Sequence, residues 1–227
     1  MERVLSRPLR SRPLPGSPDY RWIKLFGLGD RSMTMYFRLT GCFNLGWKHS
    51  FPDEERLRSR GCFAIAMVKN PYSWLLSLHR RPYHNRPAED MKFSSFLQSP
   101  WPVLGCEGAG GPLPSPMALW NMKNRAYLNM CAKLERSALI RYEDFLNDSQ
   151  KVVRDCAKAS GVGDKVSFNM TGLSSGAKSR DRGKSLEKYR EYYLGEKWKS
   201  ELFESDIRII NAGLDLGLME ELGYEVL

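Results

Sequence analysis

The apolar positions of the chain fall into short continuous runs separated by longer segments in which apolar and polar residues mix. Two runs, residues 61–68 and 137–141, have the continuous apolar character that is typical of parallel strands buried on both faces. A run rich in aromatic residues at 20–26, which ends at Gly27, predicts an earlier strand, and residues 44–48 predict another. The pattern therefore predicts at least four strands.

Helical segments are predicted between and after these strands. Pro71, directly after the second apolar run, suits the first turn of a helix, and Ser160-Gly161 marks the end of another. The predicted helical segments are 33–39, 53–60 (an exposed helix or turn), 72–80, 117–134, 143–159 and the tail from 186 onward. The stretches 99–116 and 171–185 predict loops, and the first is a candidate active-site flap.

Strands that alternate with helices predict an α/β domain with a central parallel β-sheet flanked by helices. We expect residues 20–227 to form this single domain and residues 1–19 to form a basic arm. Residues 1–20 lack the apolar core of a secretory signal, and no run approaches the roughly 20 apolar residues of a membrane span. Five dispersed cysteines without a CxxC pair favour reduced thiols in the cytoplasm, with no metal site.

The net charge of +9 predicts an anionic partner, although a solvated basic surface would give the same number. A nucleic acid, a membrane surface and a phosphorylated small molecule all fit the charge alone. The basic residues cluster at predicted strand ends and loops and form no single stripe, so we expect no specific nucleic acid.

The turn after the first predicted strand is the first candidate anion site. Glycines that lead from a strand into a helix present backbone N–H groups at the positive end of the helix dipole, and a basic side chain and hydroxyls add hydrogen bonds. The candidate turn covers residues 27–36, and within it lie Gly29, Asp30, Arg31, Ser32, Met33, Thr34 and Met35. An ordinary strand-to-helix turn remains an equal interpretation, because the pattern is not GxxxxGK[ST].

A second candidate site follows the apolar run 61–68. Lys69 lies at the carboxyl end of this predicted strand, where open α/β sheets bind their ligands. Ser77 lies two helical turns further on, so we expect both side chains to reach one phosphate. A polar strand end followed by a solvent-facing serine is the alternative interpretation.

Taken in order, these segments resemble the sulfotransferase family, which uses the donor 3′-phosphoadenosine 5′-phosphosulfate. Residues 31–36 (RSMTMY) resemble the family's first loop, [KR]-S-G-T-T-[WY]. Lys69, Pro71 and Ser77 match the spacing of its second motif, a strand that ends in R-x-P with a serine eight residues after the arginine. Residues 141–144 (RYED) resemble a later strand end, and the tail with Trp198, Ile210-Asn211 and Leu222-Gly223-Tyr224 resembles bacterial members.

The resemblance implies a P-loop NTPase-like three-layer sandwich and separate binding residues for the two ends of the donor. Arg31, Ser32 and Thr34 would bind the 5′-phosphosulfate, and Lys69 and Ser77 would bind the 3′-phosphate. The segment Arg182-Gly183-Lys184 resembles the R-K-G segment that closes over that phosphate, and an exposed basic loop explains it equally well.

Residues 47–52 (WKHSFP) resemble the K-T-H-x-P stretch of cytosolic members, which implies that His49 is the general base. A histidine that caps a helix or packs in the core is the alternative interpretation. Lys48 would neutralise charge at the bridging oxygen, with Arg31 at the same reacting group. The carboxylates at 53–55 are alternative bases, because other branches of the family use one. The implied reaction is in-line sulfuryl transfer to a hydroxyl or amine without a metal.

Three departures from the family pattern affect the donor site. Met33 replaces a loop glycine, Met35 replaces a threonine, and Lys69 keeps the charge of an arginine without its two-pronged geometry. An inactive protein on the same fold, a nucleic-acid-binding protein and a P-loop kinase are the alternatives. The acceptor, expected to be a small molecule, a carbohydrate or a lipid, is not identified. Aromatic residues that are candidates for its pocket are Trp74, Tyr83, Trp101 and Trp120, and packing in the core explains each of them at least equally well.

Overall fold

The computed structural model describes residues 51–82, 85, 90–103, 109–163 and 185–227. These residues belong to one compact unit, which comprises 51–103 and 109–227 and is described by itself. The two strands predicted nearest the amino terminus lie outside the described residues. No helix in the described ranges combines the length and the apolar character that crossing a bilayer demands.

Two parallel strands form the sheet of the described unit. Strand β1 (Ala64–Val68) pairs with strand β2 (Ser137–Arg141) in the register Ala64 opposite Ser137 and Val68 opposite Arg141. Both strands occupy predicted apolar runs, and β2 has the predicted bounds. A parallel pair needs a crossover connection, which the chain supplies with helices. The unit is therefore α/β, mostly helical, with a small parallel sheet.

Among the described residues four helices precede β2, and two of them start with a side-chain cap followed by proline. Their bounds are α1 (Glu54–Ser59), α2 (Pro71–Arg80), α3 (Phe93–Leu97) and α4 (Pro116–Lys133). Asn70 accepts hydrogen bonds from the first amides of α2, and Ser115 accepts one from Ala118 in α4, so each satisfies N–H groups that the helix leaves unpaired. Helices α2 and α4 lie within one residue of their predicted bounds, whereas α3 was not predicted.

The helix predicted over 143–159 is wrong, because two helices occupy this segment. Helix α5 (Tyr142–Asn147) follows β2 directly, and α6 (Ser149–Ser160) begins after Asp148. Asp148 has φ −141° and ψ 81°, and its side chain accepts a hydrogen bond of 2.8 Å from the Lys151 amide. A short polar side chain that caps a helix in this way ends the preceding helix. The predicted stop at Gly161 is confirmed, with φ 82°.

The predicted helical tail is confirmed and divides into several short elements. They are α7 (Leu186–Tyr193), a 3-10 helix (Lys197–Glu201), α8 (Glu204–Gly213) and α9 (Leu216–Glu221). Trp198 is buried and stacks on Tyr72 of α2, with the ring centroids 6.2 Å apart. The tail therefore returns to the core and supplies part of it.

The core lies between α2, α3, α4 and the tail, and it includes two of the tryptophans that were candidates for an acceptor pocket. Trp101 and Trp120 are almost fully buried in this core, as the alternative of core packing predicts. Trp74 is partly buried and packs against the same core, and Tyr83 lies outside the described residues. Trp101 also pairs through its backbone with Leu113, at 2.9 Å in both directions, which anchors both ends of the predicted flap.

Strand β1 is buried on one face, contrary to the prediction of burial on both. Ala64, Ala66 and Val68 are buried, and the first two pack against Met130 of α4. Ile65 and Met67 on the other face remain 55% and 45% exposed. Successive side chains of a strand point to opposite faces, and one face of β1 is covered whereas the other is exposed. Burial therefore alternates along the strand.

Candidate functional site: a lysine and a serine at the end of strand β1

Lys69 is the first residue after β1, and two contacts fix the chain at this point. The indole N–H of Trp120 donates a hydrogen bond of 3.0 Å to the carbonyl oxygen of Lys69. The next residue, Asn70, caps α2 with its side chain. Because a buried tryptophan holds one side of the junction and a helix cap holds the other, the direction in which the Lys69 side chain leaves the strand is set by the fold.

The structure brings Lys69 and Ser77 together, and we call this pair the lysine–serine site. The Lys69 Nζ donates a hydrogen bond of 2.9 Å to the Ser77 Oγ, across eight sequence positions. The Ser77 hydroxyl donates in turn to the carbonyl oxygen of Ser73, at 2.8 Å. An amino group that follows a strand and a hydroxyl in the second turn of the next helix can both donate to a phosphate group, so the pair fits the predicted ligand chemistry. Their role as ligands stays a prediction.

The amino group of Lys69 lies among aromatic rings. Its Nζ is 3.8 Å from the ring centroid of Tyr193 and 5.0 Å from that of Tyr142. Burial lowers the pKa of Lys69 from 10.5 to about 7, the Glu143 carboxylate raises it in part, and Arg80 lowers it further. Within the described part of the chain, no carboxylate forms an ion pair with this lysine. A partly buried lysine whose amino group is desolvated and lacks such a partner is typical of a ligand site.

Glu143 hydrogen-bonds to the backbone just after β1, next to this lysine. Its two carboxylate oxygens accept hydrogen bonds of 3.0 Å each, from the Asn70 amide and from the Tyr224 hydroxyl. Burial and the neighbouring Glu143 raise the pKa of Tyr224. The sequence analysis named Glu143 only as part of the RYED segment and assigned it no role. In the structure its carboxylate connects the end of β1, helix α5 and the tail.

Tyr193 is the residue at this site that the sequence did not single out. Its hydroxyl oxygen lies 3.3 Å from the Ser77 Oγ, and its ring lies against the amino group of Lys69. A signal was present in the spacing of Tyr189, Tyr192 and Tyr193, because residues three and four apart share a face of a helix. Nothing in the sequence indicated that this face meets α2.

Most of the remaining predicted site residues fall in other segments of the chain. Those that lie outside the described residues are Gly29, Asp30, Arg31, Ser32, Met33, Thr34, Met35, Lys48, His49, Arg182, Gly183 and Lys184. The alternative bases are described: Asp53 caps α1, Glu54 pairs with Lys133 at 3.0 Å, and Glu55 is exposed. The described part of the candidate site is thus Lys69 and Ser77, which are two of the residues predicted to act on the 3′-phosphate.

A cavity of about 680 Å³ lies beside β2, α5 and α6, and neither Lys69 nor Ser77 lines it. Arg141 contributes to its wall, and its Nε is buried without a hydrogen-bond partner in the described structure. Asp144, Asp148 and Asp155 also line the cavity, and its Lys151 pairs with Asp155 at 2.7 Å. The carboxylates outnumber the available cations, so the lysine–serine site suits an anion better.

Comparison of the chain with protein-family models, with curated proteins and with solved structures found no match.

Proposed function

We propose that the protein is a sulfotransferase that binds 3′-phosphoadenosine 5′-phosphosulfate, with Lys69 and Ser77 holding the 3′-phosphate. The observation that carries the proposal is the 2.9 Å contact between the Lys69 Nζ and the Ser77 Oγ at the carboxyl end of a parallel strand. This is the edge at which open α/β sheets bind ligands. The three-layer sandwich of P-loop proteins is part of the same proposal.

The electrostatics of the lysine–serine site support a phosphate ligand. Lys69 is desolvated, and a phosphate dianion would supply the negative charge that its ammonium form needs. The Ser77 hydroxyl would rotate on binding, so that its single proton moves from the Ser73 carbonyl oxygen to the phosphate and makes a charge-assisted hydrogen bond there. Because lysine acts as a point charge, we expect a less stringent geometric selection of the ligand than an arginine would give.

The other proposed roles follow the resemblance to sulfotransferases. Arg31, Ser32 and Thr34 would bind the phosphosulfate, and residues 182–184 would close over the 3′-phosphate. The donor would supply the sulfuryl group. His49 would take the proton from the hydroxyl or amine of the acceptor, and Lys48 would stabilise the charge that develops on the leaving phosphate oxygen.

Calorimetric titration with adenosine 3′,5′-bisphosphate, 5′-AMP, ATP and an oligonucleotide tests the donor half of the proposal. We expect the bisphosphate to bind most tightly, and 5′-AMP to bind about 10- to 100-fold more weakly, because it lacks the phosphate that makes the charged hydrogen bonds. Lys69→Ala and Ser77→Ala should remove most of this preference. Lys151→Ala is the matched control, since Lys151 is an exposed lysine paired with Asp155.

Several results would contradict the proposal and identify the alternative. Equal affinity for the bisphosphate and 5′-AMP would show that the lysine–serine site does not bind the 3′-phosphate. Tight binding of ATP that depends on magnesium would indicate a kinase, and oligonucleotide binding with a steep salt dependence would indicate a nucleic-acid-binding protein. If the bisphosphate binds but labelled donor is never consumed with any acceptor mixture, the protein is an inactive member of the fold.

A further inference from the structure

We propose that Tyr193 is a positioning residue of the lysine–serine site, whose ring and hydroxyl hold Lys69 and Ser77 in the geometry that binds a phosphate group. The inference rests on the proposed function, because it assigns a role in that same site. It adds a residue from α7, a helix that the sequence had not connected to phosphate binding.

The ring of Tyr193 is the stronger of its two contacts. The Lys69 Nζ lies 3.8 Å from the ring centroid, well inside the range of about 6 Å within which a cation is attracted to an aromatic face. This attraction is larger in a desolvated site than at the surface, and it favours the charged form of the lysine. Tyr193 therefore opposes the effect of burial on Lys69 and fixes the position of its amino group.

The hydroxyl of Tyr193 contacts the other member of the pair. The Ser77 hydroxyl donates its one proton to the Ser73 carbonyl oxygen, at 2.8 Å, and accepts from the Lys69 Nζ. A serine hydroxyl has two lone pairs and a single proton, so the contact of 3.3 Å with the Tyr193 hydroxyl has tyrosine as the donor. At this length the bond is weaker than the contact with the ring, and we assign it the smaller share of the effect.

Packing on α7 fixes Tyr193 in turn. Its ring meets that of Tyr142 edge-on at 5.1 Å and that of Tyr192 edge-on at 4.8 Å. The Tyr192 hydroxyl accepts a hydrogen bond of 2.9 Å from Arg80 and donates one of 2.8 Å to Glu201. Two consecutive tyrosines thus attach the end of α7 to α2 at two places, and only Tyr193 attaches at the lysine–serine site.

The test compares Tyr193→Phe, which keeps the ring, with Tyr193→Leu, which keeps only apolar bulk. We expect Tyr193→Phe to bind adenosine 3′,5′-bisphosphate about threefold more weakly and Tyr193→Leu about 10- to 30-fold more weakly. Tyr192→Phe is the matched control, because it removes a neighbouring tyrosine hydroxyl from the same helix and keeps the ring. It should bind within about twofold of the unmodified protein.

The dependence of bisphosphate affinity on pH distinguishes a positioning role of Tyr193 from a general destabilisation of the structure by the substitution. Above about pH 7 the phosphate is a dianion, so the fall in affinity with rising pH reports the loss of the Lys69 proton. Removal of the ring disfavours the charged lysine, and we expect Tyr193→Leu to move this fall to lower pH. A loss of affinity that is the same at every pH, or that Tyr192→Phe reproduces, would overturn the inference.

A readout without ligand distinguishes failure of this inference from failure of the proposed function. NMR of isotope-labelled lysine side chains, assigned with Lys69→Ala, gives the pKa of Lys69 in each variant. If the unmodified protein binds no bisphosphate, the proposed function fails, and a lower Lys69 pKa in Tyr193→Leu would still support the positioning role for another anion. An unchanged Lys69 pKa in both Tyr193 variants would overturn that role as well.

Discussion

The Glu143 carboxylate accepts a hydrogen bond of 3.0 Å from the Asn70 backbone amide, which lies 73 positions earlier in the chain. This contact ties the start of α5 to the junction between β1 and α2. It also places a negative charge near Lys69 without a direct ion pair, so the Lys69 pKa is raised only in part toward its ordinary value. The Glu143 side chain therefore both holds the junction between β1 and α2 and raises the pKa of Lys69.

Glu143→Gln should lower the pKa of Lys69 below about 7, because the substitution neutralises the carboxylate that raises it. Bisphosphate affinity should fall more at pH 8 than at pH 6 for the same reason. Calorimetric titration at about these two pH values measures the effect, and the isosteric substitution limits disturbance of the Tyr224 contact.

Asp144→Asn is the control for this prediction, because it neutralises the adjacent, exposed carboxylate. A Lys69 pKa that responds equally to both substitutions would mean that overall charge, and not the position of Glu143, sets the protonation of the lysine.

Lys69→Met should change how stability depends on pH. Between pH 7 and 10.5 the unfolded chain keeps the proton of Lys69 whereas the folded protein loses it, so the free energy of unfolding rises with pH over this window. The cost of burying the charge is fully present below this window, with a slope of at most about 1.4 kcal/mol per pH unit within it. Methionine does not titrate, so the variant should lack this contribution and be relatively more stable near pH 7.

Urea denaturation of both proteins across that pH range measures the difference, with Lys151→Met as the control at an exposed lysine. Parallel curves for the unmodified protein and Lys69→Met would show that Lys69 keeps an ordinary pKa in the folded state.

Asp148→Ala should destabilise the protein by about 1 kcal/mol, because it removes the acceptor for the Lys151 amide at the start of α6. Asp148→Asn should retain most of the stability, since asparagine caps helices about as well. Thermal or urea unfolding provides the comparison. Equal losses in both variants would instead assign the effect to the charge of Asp148.

Gly223→Ala should cost about 1–2 kcal/mol or more, because φ at this residue is +71° and a side chain there is strained. An added Cβ would also lie 3.0 Å from the Arg141 Nη1, whose guanidinium packs over the Tyr224 ring. Gly217→Ala is the control, because its Cβ would meet only Asp215 at 3.5 Å, an ordinary contact. Unfolding curves that rank the two substitutions the other way would contradict this account.

Local patterns were sufficient for several elements of the fold. The apolar run 137–141 predicted β2, and Pro71 predicted the start of α2, because backbone preferences depend on neighbouring residues. The predicted burial of β2 is wrong, because all five of its residues are only partly buried. The break at Asp148 was not predicted, because its capping side chain competes with a helix pattern that continues on both sides.

The sequence by itself determined that Lys69 stands at a strand end and that Ser77 follows two helical turns later, and so it predicted that the two are close. Only the tertiary structure decided what surrounds them: Tyr193 against the amino group, Glu143 nearby, and Trp120 on the carbonyl oxygen. The physical reason is that strand and helix geometry depend on residues within a few positions, whereas desolvation and electrostatic fields depend on elements that packing brings together from distant parts of the chain.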